Sequence, residues 1–311
     1  MGLYKGQFYM VNSKAREIMF FKKYKSTFRY SRRVKITKEL GIRFLALPRY
    51  QDYLIADMTK VSMYFLIIET GSCGYAPILP EKKRKRFRGS SSYRNFILCL
   101  MNYGRKRRSG LKAYSVYRFD IYEIKKQDND VANRSQMIHS CSRLPYHVVY
   151  KKSLQHRDLV IRRNVPSWSV NAHGNLVVIT DMGKIVVMSL LNPNTEPYSL
   201  DPKEKYAWYR LIPHSTLWFE KRGTLFLSFS KMGKRKTQMM EIQLRCAGYR
   251  TLERIQDIQA VCRGVKGTVP GSVFRMSVIP GTNKLFAICL DSYKYHLKSV
   301  FMFQIIDELN T

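Results

Sequence analysis

The sequence lacks the short motifs that carry the common enzymatic chemistries. It contains no GxSxG nucleophile elbow, no GxxxxGK[ST] phosphate loop, no HExxH pair and no GxGxxG after a strand-like run. The acid pairs Asp52 with Asp57 and Asp128 with Asp130 fall in loop-like segments, where carboxylates are usually solvated. We therefore predict that the protein is not an enzyme and has no catalytic residues.

Metal-ligand spacing is also lacking. The nearest His and Cys neighbours are His139 and Cys141, and His147 and His156 follow at no recognised ligand spacing. His173 precedes a Gly-Asn turn and is interpreted as a turn residue. We expect no metal and no cofactor.

The cysteines are few and unpaired in sequence. No CxxC motif occurs, and Cys99 and Cys289 lie in apolar runs, where thiols pack as small hydrophobic groups. This pattern predicts reduced cysteines and an intracellular protein. The prediction covers Cys73, Cys99, Cys141, Cys246, Cys262 and Cys289.

Long apolar runs are missing as well. No run of 18 apolar residues could span a bilayer, and the N-terminus lacks the apolar stretch of a secretory signal, which predicts no membrane partner and no secretion. The first 30 residues contain seven basic residues and one acid, a composition that overlaps with an organelle transit peptide. Residues 6–11, however, have the pattern of a folded strand. We favour the nucleus over the cytoplasm, and a mitochondrion or plastid is the open alternative.

Acidic residues are scarce. The chain of 311 residues has 55 Lys and Arg against 22 Asp and Glu, for a formal net charge of +33. Residues 1–155 hold 33 basic and 10 acidic residues (+23), so the remainder carries +10. With 45% hydrophobic and 13% aromatic residues the chain can bury a core, yet its surface repels itself unless an anion is nearby. An anionic partner is the simplest explanation.

Short aromatic or β-branched runs, bounded by Gly, Pro, Asn and Asp, dominate the local pattern and predict an all-β fold. One short helix is predicted near Tyr249–Ala260, where Leu252, Ile255 and Ile258 have near-helical spacing. The predicted strand pairs are Gln7–Val11 with Glu17–Phe21, Tyr53–Ala56 with Ser62–Ile68, and Phe96–Met101 with Ala113–Ile124.

Groups of three or four strands recur at roughly 40 to 60 residues, which is typical of propeller blades. The clearest group is Ser167–Met188, which combines a Gly-Asn turn with two apolar strands. We predict one strand-rich domain over residues 1–311, an irregular β-propeller of about five to six sheets. The alternatives are two packed β-sandwich or barrel domains, and a subdivision near residues 126–136.

Several segments carry a family resemblance. Leu176–Leu190, with Val170-Asn171 before it and Asn192–Thr195 after it, resembles a blade of the WD-repeat, kelch or F-box-associated propellers. Tyr4–Tyr9 and Val116–Asp120 resemble phrases of the plant F-box-associated propellers. The Trp-Asp dipeptide, the Gly-His pair and the kelch double glycine do not occur, so the resemblance implies a propeller architecture and no site residue.

Three basic clusters lie between predicted strands and form the candidate nucleic-acid-binding residues. Basic loops can lie along phosphates, where each contact releases a condensed counterion, and the first can also serve as a nuclear import signal. The predicted loops cover residues 82–92 and 104–110. The candidates are Lys82, Lys83, Arg84, Lys85, Arg86 and Arg88; Arg105, Lys106, Arg107 and Arg108; and Lys234, Arg235 and Lys236.

Aromatic and basic residues interleave over residues 20–25 and 27–33. Aromatic faces stack on unpaired bases while Lys and Arg hold phosphates, which is the chemistry of single-stranded RNA binding. A core strand with basic outward faces produces the same pattern, and both interpretations stay open.

These observations favour a non-enzymatic RNA-associated protein, a structural component of a ribosome or another ribonucleoprotein particle. The alternative is a propeller-like protein-interaction module with an acidic partner, such as the substrate-recognising part of a ubiquitin ligase or a nuclear scaffold.

Overall fold

The chain folds into two compact units in a computed structural model. Unit 1 comprises Met1–Gly104 with Tyr117–Gln155, and unit 2 comprises Arg105–Val116 with His156–Thr311. The structure describes residues 2–12, 15–24, 27–38, 40, 49–59, 61–79, 86–106, 114–127, 141–156, 159–161, 167–171, 173–180, 184–191, 197–200, 211–219, 224–231, 236–246, 258–270, 272–278, 284–290 and 297–304.

Strands account for nearly all of the regular structure. The first thirteen are β1 (Gly2–Tyr4), β2 (Gln7–Asn12), β3 (Glu17–Tyr24), β4 (Thr27–Lys35), β5 (Arg49–Tyr50), β6 (Tyr53–Met58), β7 (Ser62–Ile67), β8 (Cys73–Leu79), β9 (Arg86–Tyr93), β10 (Phe96–Lys106), β11 (Tyr114–Lys126), β12 (Ser142–Arg143) and β13 (Tyr146–Leu154). The others are β14 (Val160–Ile161), β15 (Ser167–Val170), β16 (Asn175–Ile179), β17 (Ile185–Ser189), β18 (Tyr198–Leu200), β19 (Leu211–Phe219), β20 (Thr224–Lys231), β21 (Lys236–Cys246), β22 (Ile258–Pro270), β23 (Ser272–Val278), β24 (Lys284–Leu290) and β25 (Leu297–Gln304).

Unit 1 begins with a four-stranded antiparallel sheet in the order β1-β2-β3-β4. Tyr4 pairs with Gln7 across a two-residue turn, in which Lys5 and Gly6 have φ angles of 46° and 72°. Positive φ at both turn residues is the type I′ geometry, which matches the right-handed twist of the flanking strands. This turn starts the sheet that carries the candidate site.

The second sheet lies mainly in unit 1 and has ten strands along the order β5-β6-β7-β8-β13-β11-β10-β9. Strand β12 pairs with β8, and β14, whose residues belong to unit 2, pairs with the first residues of β11. Most pairs are antiparallel, but β12 and β13 both run parallel to β8. The sheet curves until β9 approaches β5 and β6, and the Ser92 hydroxyl donates a hydrogen bond to the Arg49 carbonyl at 2.7 Å. The result is a nearly closed, barrel-like sheet.

Two apolar clusters form the core of unit 1. The first joins Tyr9 and Phe20 of the four-stranded sheet to Leu54 and Leu66 of the ten-stranded sheet. The second gathers residues from β6, β7, β8, β10, β11 and β13, with Phe65 among its largest members. Because β6, β7 and β8 contribute to both clusters, each contains runs of consecutive buried residues rather than a strict alternation.

Unit 2 contains two four-stranded antiparallel sheets, β15-β16-β17-β18 and β19-β20-β21-β22, and the three-stranded sheet β23-β24-β25. All five residues of β16 are buried, so this strand is covered on both faces. Asn171 shapes the preceding turn, because its Oδ1 accepts a hydrogen bond from the Asn175 amide at 2.8 Å and Gly174 has a φ of 77°. His173 lies exposed in this turn, as the sequence predicted.

The all-β prediction is confirmed, as are the three predicted strand pairs. The described strands form five sheets, and four-stranded meanders in sequential order are the sheet type of propeller blades. The helix predicted near Tyr249–Ala260 is wrong at its end, because Ile258–Ala260 begin β22 and pair with β21. The rest of that segment, and the predicted subdivision beyond Gln127, lie outside the described residues.

The prediction of six reduced cysteines is wrong for one pair. Cys73 and Cys141 form a disulfide with a Cα–Cα distance of 4.7 Å, and both are buried in the first apolar cluster. The bond lies next to the parallel pairing of Ser142 with Gly74, where β12 joins β8. The pairing has no local sequence signal, because the two cysteines are 68 residues apart. Cys99 is buried, as its apolar run predicted.

Candidate functional site

The first basic cluster lies only partly within the described residues. Arg86 and Arg88 belong to β9, and Arg86 is the register partner of Asn102 on β10. The predicted loop is therefore wrong for residues 86–92. This Gly- and Ser-rich segment has low intrinsic strand propensity, but pairing with the apolar strand β10 holds it in an extended conformation. Outside the described residues lie Lys82, Lys83, Arg84 and Lys85.

The other two clusters also lie partly within strands. Arg105 and Lys106 are the last residues of β10, so the loop predicted from residue 104 is wrong for residues 104–106. Lys236 is the first residue of β21 and pairs with Pro270. Outside the described residues lie Arg107, Arg108, Lys234 and Arg235.

The most complete basic surface is the β3–β4 hairpin, residues 17–35. Its register runs from Glu17 with Lys35 at the open end to Tyr24 with Thr27 at the tip, and β4 is an edge strand of its sheet. The register shifts at Phe20, which leaves one extra residue in β4 and forms a β-bulge. Since directly opposed residues share a face, the hairpin has two distinct faces.

The inner face of the hairpin is the one that carries Phe20, Lys22 and Tyr24 on β3. Phe20 is fully buried in the core, and the Arg32 guanidinium carbon lies 4.2 Å from the centre of its ring. Toward the tip the face leaves the core, and Lys22, Tyr24 and Arg29 are exposed. The Arg29 guanidinium carbon lies 3.7 Å from the centre of the Tyr24 ring. Both arginines thus cover aromatic faces.

The outer face carries a cross-strand aromatic row. Phe8 on β2 is the register partner of Phe21 on β3, which in turn is the partner of Tyr30 on β4. The ring centres are 6.1 Å apart for the first pair and 6.2 Å for the second. Exposure rises along the row, from buried Phe8 through half-buried Phe21 to Tyr30, which is 58% exposed. The row therefore leads from the sheet interior to solvent.

Charge on the hairpin is almost entirely positive. Residues 17–35 contain seven Lys and Arg and one acid, Glu17. On the outer face Lys23, Arg33 and Lys35 are exposed, and Glu17 lies 3.9 Å from Arg33, whose side chain is 65% exposed. Glu17, whose side chain is 17% exposed, offsets at most one of these positive charges. The outer face is thus a positive surface with an aromatic ring at its edge.

The core-strand interpretation of the interleaved segment is confirmed at Phe20, and the RNA-binding interpretation stays a prediction. Phe20 is a core residue beneath basic neighbours, as the core-strand interpretation requires. Tyr24 and Tyr30 are 46% and 58% exposed and therefore lie outside the core. Strand alternation alone could not separate these roles, because the hairpin extends beyond the core that buries its base.

A buried polar network lies elsewhere in unit 1 and was not found by sequence reasoning. The Asp120 carboxylate is 3% exposed and accepts hydrogen bonds from the Tyr103 hydroxyl at 3.0 Å and the Ser153 hydroxyl at 2.6 Å. Burial, with the Asp120 charge and hydrogen bond, raises the pKa of Tyr103 to about 12. The Arg118 guanidinium carbon lies 4.5 Å from the Tyr103 ring centre. The sequence signal for this network was Asp120 itself, an acid at a position that strand alternation places on a buried face.

Two further features relevant to function are absent from the described residues. Within these ranges, no three His, Cys, Asp or Glu side chains come together in an arrangement that could hold a metal ion. In the same part of the chain, no helix is long and apolar enough to cross a bilayer.

No protein-family model matches the chain, and neither does any curated protein. Solved structures do resemble it. A functionally unknown protein from Desulfotomaculum acetoxidans DSM 771 matches with 9% identity and a TM-score of 0.48, over 97% of this chain and 93% of that one. The N-terminal domain of Nup159 matches with 12% identity and a TM-score of 0.42, over 96% of this chain and 71% of that one.

BamB from Moraxella catarrhalis matches with 10% identity and a TM-score of 0.36, over 92% of this chain and 68% of that chain. All three TM-scores are below 0.5, so none of these similarities carries a conclusion about what this chain binds. We therefore infer the partner of this chain from its own surface.

Proposed function

We propose that the protein is a non-enzymatic interaction module that binds a polyanionic partner, with RNA in a ribonucleoprotein as the preferred partner. The observation that carries the proposal is the β3–β4 hairpin, where several exposed cations are accompanied by only one acid, Glu17. The net charge of +33 supports it, because phosphate backbone is the densest source of counter-charge.

Salt dependence tests this proposal directly. A protein that neutralises phosphates with Lys and Arg releases counterions, so its affinity for RNA falls steeply as salt rises. We expect the observed association constant for a structured RNA to fall at least tenfold between low and moderate salt. An affinity that is independent of salt would contradict the proposal.

The second candidate is a protein-interaction module with an acidic partner. It is favoured by the position of β4 at the edge of its sheet, where an extended acidic peptide could add a strand beside Arg29, Arg33 and Lys35. Basic side chains on an edge strand also discourage unwanted pairing, so the edge supports this candidate less directly than charge supports the first. Ribonuclease treatment separates the two: co-purifying proteins remain if the partner is a protein and are lost if RNA bridges them.

A further inference from the structure

The outer face of the β3–β4 hairpin combines an aromatic row with flanking cations in a defined order. Phe21 and Tyr30 are direct register partners, and their ring planes meet at 81°. Lys23 follows Phe21 by two positions on the same strand and therefore lies on the same face. Arg33 and Lys35 oppose Met19 and Glu17 and extend that face toward the open end. Cations thus lie on both sides of the aromatic row.

The exposure of Tyr30 is not a by-product of core formation. The core beneath the hairpin is built on the inner face, where Phe20 is fully buried. The bulge bends β4 next to Tyr30, because its extra residue lies between Tyr30 and Arg32. Tyr30 packs on Phe21, which limits its freedom, while 58% of its surface remains in solvent. An exposed ring that packs on a neighbouring ring and lies beside cations is suited to stacking.

We propose that this outer face binds single-stranded RNA, with Tyr30 stacking on an unpaired base and Lys23, Arg33 and Lys35 contacting the flanking phosphates. Unpaired bases present their faces to aromatic side chains, whereas bases in a duplex are already stacked. The three cations alone would suit an acidic peptide equally well, and the aromatic row favours the nucleic acid. This inference rests on the proposed function and narrows it to unpaired RNA.

The test compares a fluorescent oligouridine with a duplex of equal length, by anisotropy, using the full chain and its Tyr30→Ala variant. Loss of one stacked base weakens binding by about 5- to 150-fold. We expect a loss in that range for oligouridine, a change below about twofold for the duplex, and recovery of affinity in Tyr30→Phe. Tyr24→Ala is the matched control, because Tyr24 is an exposed tyrosine on the inner face.

Several outcomes would overturn the inference, and they differ from failure of the broader proposal. RNA binding that is unchanged in Tyr30→Ala, or equally reduced in Tyr24→Ala, would leave a polyanion-binding protein without this stacking site. Competition by polyglutamate as effective as competition by oligouridine would replace RNA with an acidic peptide. Absence of salt-sensitive RNA binding by the unaltered chain would overturn both proposals. Circular dichroism and thermal melting confirm that each variant is folded.

Discussion

The guanidinium carbon of Arg29 lies 3.7 Å from the centre of the Tyr24 ring, and both side chains are exposed near the tip of the β3–β4 hairpin. An exposed cation–π contact contributes about 0.5–1 kcal/mol. Arg29→Ala should therefore lower the free energy of unfolding by about that amount in urea titrations. In the double variant with Tyr24→Leu the two effects should not add. Full additivity would show that the contact contributes nothing.

The outer face of the same hairpin should govern the salt dependence of RNA binding. Arg33→Glu with Lys35→Glu removes two proposed phosphate contacts, so the slope of log K against log salt should become shallower by about 1.4 for a single strand. Lys38→Glu with Lys126→Glu is the charge-matched control, since both lysines are exposed but lie beyond the hairpin. An equal effect of the control would indicate a diffuse field rather than a site.

The first two basic clusters each have two cations among the described residues, and these cations allow an independent test of phosphate contact. Arg86 and Arg88 start β9, while Arg105 and Lys106 end β10. If these residues contact phosphates, reversing the charge of either pair should weaken binding to all RNA sequences alike and make the salt slope shallower. A loss confined to one sequence would contradict backbone recognition.

The Cys73–Cys141 disulfide predicts a large effect of reduction on stability. In the chain-entropy model, a closed loop of this length stabilises the folded state by about 4 kcal/mol. Cys73→Ala with Cys141→Ala should thus lower the urea midpoint markedly, and a reductant should destabilise the parent chain but not the variant. Alkylation of the unfolded, unreduced chain, followed by intact-mass measurement, gives the direct answer. Labelling of both cysteines without reductant would restore the prediction of reduced thiols.

The Asp120 carboxylate should be important for the stability of unit 1. Asp120→Ala removes the acceptor of the Tyr103 and Ser153 hydroxyl groups inside the sheet, and hydrogen bonds to a charged group contribute about 1.5–3 kcal/mol each. We expect a loss of about 3 kcal/mol in the free energy of unfolding. Asp52→Ala, at an exposed turn position, should cost less than about 0.5 kcal/mol.

Tyr103 should make stability sensitive to alkaline pH. Its pKa is raised from 10.0 to about 12 in the folded chain, so the folded state holds the phenol proton more tightly than the unfolded state does. Its contribution is complete below pH 10 and is lost as pH rises toward about 12. Tyr103→Phe removes the titrating group, and its free energy of unfolding should fall less steeply over this interval. Parallel curves for the two chains would contradict the assignment.

The sequence was most informative where local pattern decides structure. Apolar and β-branched runs placed β2 with β3, β6 with β7 and β16 with β17 correctly, because alternation and turn residues are local signals. Strand β9 was missed, since Gly89 and three serines have little strand propensity and owe their conformation to β10. The disulfide and the Asp120 network were missed because each joins residues that are far apart along the chain.

For the candidate site, the sequence left two interpretations open, an RNA-binding segment and a core strand with basic outward faces. Alternating aromatic and basic letters could not show that Phe20 lies in the core while Tyr30 lies in solvent. That distinction depends on where the hairpin extends beyond the core that its base shares with the ten-stranded sheet, and on a one-residue bulge that has no sequence signature. Intracellular location stays a prediction, and a disulfide of this kind is more common in oxidising compartments.

The parallel pairing of β8 with β13 has a consequence for synthesis on the ribosome. Ile78 cannot pair until its partner Val148 leaves the ribosome, 70 residues later in synthesis. At 5–20 residues per second this delay is about 4–14 s. During that interval the edge of β8 is exposed and can pair with other nascent chains. Slow codons or a bound chaperone between these two points would therefore change the yield of folded protein without altering its final stability.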